Sequence, residues 1–486
     1  MATVLLSNTY FLSFDQKQQR LMQPYPPLGT LYAAAVLRQK GYEVALHDTM
    51  LAKSVTDIIP VFEKEKPVFF VIYDDGFNYL TKMCLTNMRD AAYEMIAIAR
   101  QYGCIIILSS SDATDHAEDY LQKGADYVIK GEAEITLQEL VDALSAGSTD
   151  TRHIAGLAFL SGNEIINTPK RNVLQQLNMI PFPAWDLVDM QLYQKKWRDK
   201  HGYFSLNLTT TRGCPFKCNW CAKPIYGNRY NSRSPQNVVE EIKLLLRNYR
   251  PDHFWFCDDI FGLKPGWIKA FCELVQQEQL HFKFKIQCRV DLLLEENNIE
   301  SLAKAGCETI WVGAESGSQK ILDAMDKGTS VEQIYAATKL LKKHHIRPAF
   351  FLQFGYLGET KEDIAATKKM LLDLMPHDIG ISVSYPLPGT KFFEIVKDQL
   401  QVKSNWTDSD DLAMMYRGTY SAKYYRQLHR YIHKLFRRQQ GIKTIAQLLS
   451  TRSLTPDQSL RSIVLLPYFL MMSWWNYFKL YYIIRH

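Results

Sequence analysis

Cys214, Cys218 and Cys221 stand in the segment TTTRGCPFKCNWCAKPIYG with C-x3-C-x2-C spacing, close enough to share one metal group. Iron–sulfur clusters are held by cysteine thiolates, normally four for a [4Fe–4S] cube, so a loop supplying three leaves one iron without a protein ligand. Two other readings compete for these residues. Structural zinc wants a closed tetrahedral set, typically two C-x2-C pairs or a Cys/His pair at short spacing. No such partner lies near, and Cys257, the next cysteine, belongs to a separate apolar run. The third reading is three small buried apolar residues. Arg212-Gly213 before the first cysteine and Pro215 after it suit a tight loop whose backbone must approach a cluster.

On this spacing the chain resembles the radical S-adenosylmethionine (radical SAM) superfamily. The resemblance implies that the amino and carboxylate groups of S-adenosylmethionine chelate the vacant iron. It also implies that an electron from an external donor, passed through the cluster, cleaves the sulfonium to a 5′-deoxyadenosyl radical, which removes hydrogen from an unactivated C–H bond. Cofactors carry such chemistry, while the protein orients them and excludes competing reactions.

The elements that must hold this loop belong to a large chain. At 486 residues it exceeds the length at which one core keeps growing, so two or three domains are expected. The first residues, MATVLLSNTYFLSFDQ, turn polar too soon for a signal peptide. Nine cysteines, an odd number scattered along the chain, do not resemble a disulfide framework and fit a reducing compartment, so the cytoplasm is expected. The net charge of +6 is modest and no basic run tracks a phosphate backbone, which argues against nucleic acid as a partner.

From the N-terminus, short apolar runs (ATVLLSN, YEVALHD, PVFFVIYDD, CIIILSSS, ADYVIKGE) alternate with helical patterns such as LGTLYAAAVLRQKG and TLQELVDALSAG. This alternation predicts an α/β, doubly wound Rossmann-like domain over 1–148, with ligands at the carboxyl ends of parallel strands. Its place ahead of the cysteine loop, and the segments PPLGTLYAAAVLRQKGYEV and VIKGEAE, resemble the cobalamin-binding domain of cobalamin-dependent radical SAM enzymes. As in relatives of this arrangement, the Asp-x-His-x-x-Gly lower-ligand motif is absent. Where the family shows a Gly-Gly pair followed by His, this chain has Ser109-Ser110-Ser111-Asp112, which adds side chains near the corrin. A degenerate sheet without cofactor is the competing reading. The resemblance implies corrin contacts at Asn8, Gly29, Tyr73, Asp74, Ser109, Ser110, Asp112, Gly131 and Glu132. His47 and His116 read as structural or surface histidines rather than cobalt ligands.

Residues 149–195 read as a linker, with a hairpin around Ser161-Gly162-Asn163 followed by IPFPAWDLV, whose prolines resist helix and central strand. The string PFPAWDL resembles the family's interdomain linker. Over 196–400 the runs SLNLTTTRG, HFWFCDDIF, KFKIQCRVD, TIWVGAES, RPAFFLQFG and DIGISVSYP alternate with helices. They predict a partial (β/α)6 barrel, the core of the superfamily, with its site at the carboxyl ends of the strands.

Polar groups fall at those ends. Asp258 and Asp259 resemble a pair that faces the nucleoside or substrate; adjacent strand residues point oppositely, so one of the two is expected to cap a loop. Arg289 suits either the carboxylate of S-adenosylmethionine or a structural ion pair. Glu315 and Ser316 match the family's Gly-x-Glu-Ser segment, implied to contact the amino group and ribose. Gln353 and Gly355 resemble the segment along the adenine, with a plain strand-to-helix turn as the alternative.

The region 401–486 departs from both domains. It holds 13 Lys and Arg against 4 Asp, reads as helical from Ser409, and ends in SIVLLPYFLMMSWWNYFKLYYIIRH, uncharged from Ser462 to Phe478. Pro467, Asn476 and the short apolar length argue against a membrane span, and Trp474 and Trp475 between Arg461, Lys479 and Arg485 suit a helix in a membrane interface. Docking on the protein's own core is the alternative. An attached tail would suit an apolar or lipid-like small-molecule substrate. The leading expectation is methylation of an unactivated carbon, or of phosphorus, with cobalamin relaying the methyl group. An oxidative cyclase of the magnesium-protoporphyrin monomethyl ester type and a non-catalytic cobalamin or iron–sulfur sensor remain alternatives.

Overall fold

The computed structural model describes residues 3–451 and 460–485. The chain gathers into two compact units, one of residues 1–215, 223–286 and 405–411, the other of 216–222, 287–404 and 412–486.

In the first unit β1 (Thr3–Ser7), β2 (Glu43–His47), β3 (Phe69–Tyr73), β4 (Ile105–Ser109) and β5 (Tyr127–Ile129) lie parallel in the order β2-β1-β3-β4-β5. Side chains alternate across the pleat. Leu5, Phe70, Ile72, Ile106 and Leu108 therefore pack on one face against Phe62 and Met95, while Val4, Leu6, Phe69, Val71 and Ile107 meet Ala33, Leu37, Leu137 and Val141 on the other. Both faces being covered explains why these strands read as unbroken apolar runs. The order reverses between β1 and β3, so a crevice for ligands opens at the carboxyl ends of the strands.

The hairpin expected between the domains is present, but it belongs to this sheet. β6 (Leu157–Ser161) pairs antiparallel with β5, and β7 (Glu164–Asn167) with β6, around Gly162 at φ +62°. It covers what would otherwise be an open edge at the three-residue β5.

The same unit carries β8 (Ser205–Leu208), a two-residue β9 (Thr211–Arg212) paired antiparallel with β10 (Asn231–Ser232), β11 (His253–Phe256) and most of β12 (Lys283–Cys288). β8, β11 and β12 run parallel. A strap from the far end of the sequence closes on this unit. Asn405 Nδ2 donates to Cys84 O (2.9 Å), and Ser409 Oγ donates to Asp15 Oδ1 (2.9 Å) across 394 residues of sequence.

The second unit holds β13 (Cys307–Glu315), β14 (Arg347–Phe354) and β15 (Asp378–Val383), parallel in that order. Its helices Val331–Lys343 and Lys361–Leu374 start at capping boxes on Ser330 and Thr360. All six strands read from 196–400 are thus present. The C-terminal region is only partly as read: helix begins at Ala422, not Ser409. Residues around Tyr416 are held out of a helix because the Tyr416 hydroxyl donates to Gly355 O and Leu400 bridges Tyr416. Helix Ala422–Thr451 is tied beside β15 by Arg437 Nη2 on Asp378 (3.0 Å), and it packs along helix Leu466–Arg485.

Candidate functional site

The cysteine loop is entered through a locked turn. Asp258, buried just after β11, accepts at Oδ1 from the backbone N–H groups of Thr210 and Thr211 (both 2.7 Å) and from the Thr209 hydroxyl (2.9 Å), and at Oδ2 from the Thr210 hydroxyl (2.8 Å). These bonds stop β8 after Leu208 and turn the chain toward Gly213. Burial raises the carboxyl pKa and the donors lower it; the net direction is up. Gly213 has φ +79°, and a Cβ there would stand 2.3 Å from Arg229 O. Gly213→Ala is therefore expected to lower iron bound after anaerobic reconstitution at least about twofold, read as iron per chain.

None of the three cysteines is in a disulfide, and all are half-buried. From Arg212 to Tyr230 the chain has Lys217, Lys223 and Arg229 and no carboxylate. A set of soft sulfur donors alone fits an iron–sulfur cluster. Among the described residues no three His, Cys, Asp or Glu side chains gather as a metal site. In the second unit the turn Cys218–Cys221 closes with Cys221 N on Cys218 O (3.2 Å). Buried Asn219 holds it by donating to Ala324 O (2.7 Å) and accepting from the Tyr356 hydroxyl (3.0 Å).

The remaining barrel residues are placed as follows. Asp259, half-exposed, pairs with Lys82 (2.6 Å). Arg289 donates to Asp291 (2.8 Å) and to the carbonyls of Lys327 and Gly328, with its guanidinium 3.6 Å from the centre of the Phe216 ring. Glu315, at φ +52°, accepts from Lys327 Nζ (2.8 Å). Ser316 Oγ lies 3.0 Å from Thr367 Oγ1 and accepts from Ser318 N. Gln353 donates to Ser384 Oγ (2.9 Å). Gly355, at φ +81°, donates its N–H to Glu359 Oε2 (2.8 Å), and a Cβ there would meet Met414 and Tyr425 at 3.2 and 3.3 Å.

Burial pushes the Glu359 carboxyl up to about 8 against the pull of the Gly355 N–H. The folded chain thus binds this proton more tightly than the unfolded one, so its contribution to stability falls as pH rises from the ordinary glutamate range toward 8. Glu359→Gln is expected to remove that decline, read as Tm against pH.

In the first unit the carboxyl ends of β3 and β4 border a cavity partly open to solvent. Six predicted residues line it: Gly29, Tyr73, Asp74, Ser109, Ser110 and Gly131. Three do not. Asn8 Oδ1 accepts from Thr49 N (3.3 Å), Asp112 takes the Arg89 guanidinium and the Tyr120 hydroxyl (2.6 Å), and Glu132 is bound to Arg212. Ser110 stands at φ −157°, ordinary extended backbone, and caps the next turn through Ala113 N (2.8 Å). The Ser-for-Gly change therefore imposes no backbone strain. The remaining wall is Gly76, Thr81 and Ser111 together with Ile225 and Tyr226, just past the cysteines. Small residues at strand ends and an approach open to backbone fit a large planar cofactor's edge or tail. Burial raises Asp74 to about 7, opposed by two bonds from Thr9.

Three groups escaped the sequence reading. Arg212, 4% exposed, is clamped between Glu132 and Glu134 (2.7 Å to Glu134) under the rings of Tyr32, Phe77 and Tyr226. The acids of VIKGEAE were visible, but their partner 80 residues on was not. Lys327 lies buried against Glu315; burial lowers its pKa, yet Glu315 and the Cys218 thiol raise it further, so it stays charged beside the cysteine turn. Lys327→Met is expected to leave Glu315 buried and unpaired and to destabilise the chain by about 3–5 kcal/mol in urea unfolding. Lys285 sits 5.2 Å from the Trp255 ring and 5.4 Å from Tyr25, and burial lowers its pKa to about 8.

Comparison with known proteins agrees with this geometry. The radical SAM superfamily description matches residues 208–371, and the B12 binding domain matches 20–141. An uncharacterized methyltransferase of Pyrococcus horikoshii is 29% identical over 78% of this chain and 81% of its own length. The anaerobic magnesium-protoporphyrin IX monomethyl ester cyclase of Cereibacter sphaeroides is 27% identical over 78% of this chain, which spans 61% of that protein. The fold matches the cobalamin-dependent S-adenosylmethionine radical enzyme OxsB with a TM-score of 0.73 at 19% identity, covering 99% of this chain and 72% of that one. A B12-binding domain thus precedes a radical SAM partial barrel and a helical C-terminal region, and the chain is an enzyme whose cofactors are a [4Fe–4S] cluster, S-adenosylmethionine and cobalamin.

Proposed function

We propose that this enzyme methylates an unactivated carbon of a small, apolar substrate in the cytoplasm. The observation that carries the reading is the shared wall of the cavity in the first unit: Tyr73, Asp74, Ser109 and Ser110 come from the sheet, and Ile225 and Tyr226 follow the cysteine loop directly. A cobalamin edge seated on the sheet would then border the loop that holds the cluster. When bound, the cofactors supply a hydrogen-abstracting radical and a transferable methyl group.

The chain's own residues take the following parts. Cys214, Cys218 and Cys221 ligate the cluster. Glu315, Ser316, Gln353 and Gly355 bind S-adenosylmethionine, with Lys327 setting the Glu315 carboxylate. Gly29, Tyr73, Asp74, Ser109, Ser110 and Gly131 contact cobalamin. Asp258 holds the turn that leads into the cysteine loop, and Arg289 stacks on Phe216 within that loop.

The test is product analysis with the reconstituted enzyme, a low-potential reductant and a library of apolar small molecules. Methyl transfer yields S-adenosylhomocysteine and 5′-deoxyadenosine together, since one S-adenosylmethionine donates the methyl and another is cleaved. 5′-Deoxyadenosine without a transferred methyl would favour the cyclase reading, which the likeness to the Cereibacter enzyme supports. Neither product would leave a sensor.

A further inference from the structure

Helix Leu466–Arg485 presents its faces in an inverted order. The face packed toward helix Ala422–Thr451 is partly polar: Ser473 is 1% exposed and Asn476 5%, with Leu466 and Leu480 buried on either side of them. Gln427 Nε2 donates to both the backbone O and Oδ1 of Asn476 (2.9 Å each), and Arg438 Nη1 reaches Ser473 Oγ (3.2 Å). Outward point Tyr468, Met471, Trp474, Trp475, Phe478 and Tyr482, with Trp474 58% and Phe478 56% exposed. These recur every three or four residues, one stripe along the helix. A helix whose environment is water alone has its apolar stripe inward; this one hydrogen-bonds inward and shows its aromatics outward. Contiguous aromatic surface of this kind marks a contact site.

The charge around the stripe selects its partner. Apart from Asp457, outside the described residues, no Asp or Glu occurs from Leu412 to His486, while Lys434 and Lys479 border the stripe. Lys479 Nζ lies 4.8 Å from the Trp475 ring, and Lys434 Nζ 4.9 Å from that of Tyr468, where each can snorkel to a headgroup. No described helix is long and apolar enough to cross a membrane. The Arg485 side chain, read from sequence as a flanking cation, lies outside the described residues. Aromatic rings edged by cations and free of acids suit the interface of an anionic bilayer.

We propose that helix Leu466–Arg485 lies flat on an anionic phospholipid bilayer, with Trp474, Trp475 and Phe478 in its headgroup layer. The inference stands apart from methyl transfer, since it uses no cofactor-binding residue. It is tested by flotation of the full-length chain with phosphatidylcholine vesicles, with and without phosphatidylglycerol, beside the triple variant Trp474→Ser, Trp475→Ser, Phe478→Ser. The wild type should float with the anionic vesicles, less so in about 0.5 M salt. The variant should lose at least about tenfold in partitioning with unchanged Tm, because the replaced side chains are exposed. Equal flotation of the variant, absence of wild-type flotation, or equal binding to pure phosphatidylcholine would overturn the proposal. So would a dimer by light scattering that becomes monomeric in the variant without any flotation, which assigns the face to a second copy.

Discussion

Iron after anaerobic reconstitution is expected to fall from about four per chain to near zero when Cys214, Cys218 and Cys221 are changed together to Ala, as for loss of one cube. Reductive cleavage of S-adenosylmethionine should fall with it to the background of free reductant. The entry to the loop should survive, because it is held by Asp258 on the three threonines and by Arg212 on its two acids, not by the thiols. Cobalt bound from hydroxocobalamin should therefore stay near one per chain in the variant, and Tm should move little. Loss of cobalt along with iron would mean that the loop needs its cluster to form the cavity wall at Ile225 and Tyr226. Iron without cobalt in the wild type would sink the two-cofactor reading and trace the fault to the serines at the end of β4.

Arg212→Met should be the most damaging single change outside the cysteines. It leaves Glu132 and Glu134, 6% and 1% exposed, buried without their cation. Breaking such a pair from one side costs about 3–5 kcal/mol, read in urea unfolding. Burial already raises the Glu132 pKa, with Arg212 the chief opposing influence. Removing the guanidinium lets Glu132 rise further, so the variant's folded state binds extra protons. Its stability then improves as pH falls from 8 toward 5, and the deficit against wild type should narrow over that window. Adding Glu132→Gln and Glu134→Gln should restore part of the loss at pH 8. A deficit independent of pH would show that Arg212 matters through its stacking on Tyr32, Phe77 and Tyr226 rather than through charge.

The strands of the first sheet were legible because both its faces are covered, leaving apolar runs such as FFVIY and IIILS that little else explains. Gly213 and the cysteines were legible for a different reason: spacing and a required left-handed residue are local facts. Pairings over long separations were hidden. Glu132 reads as a strand-end acid until Arg212 arrives from another part of the sheet system, and Lys327 reads as a helix-end lysine until it is seen against Glu315. The irregular stretch before Ala422 was misread because its sequence has helical composition, while Tyr416 gains more by capping Gly355 than by joining a helix. Which face of the last helix points outward depends on Gln427 and Asn476 finding each other, and composition carries no trace of that.

The strap at Asn405 and Ser409 sets a timetable for synthesis. At roughly 5–20 residues per second, the ribosome needs about 20–80 s after Asp15 emerges before Ser409 can reach it. Throughout that interval the first unit lacks a segment of its own fabric, and Cys84 O has yet to meet the Asn405 amide. A nascent chain stalled before Asn405 should therefore be cut by protease near Asp15 and Leu85, sites that the finished protein shields.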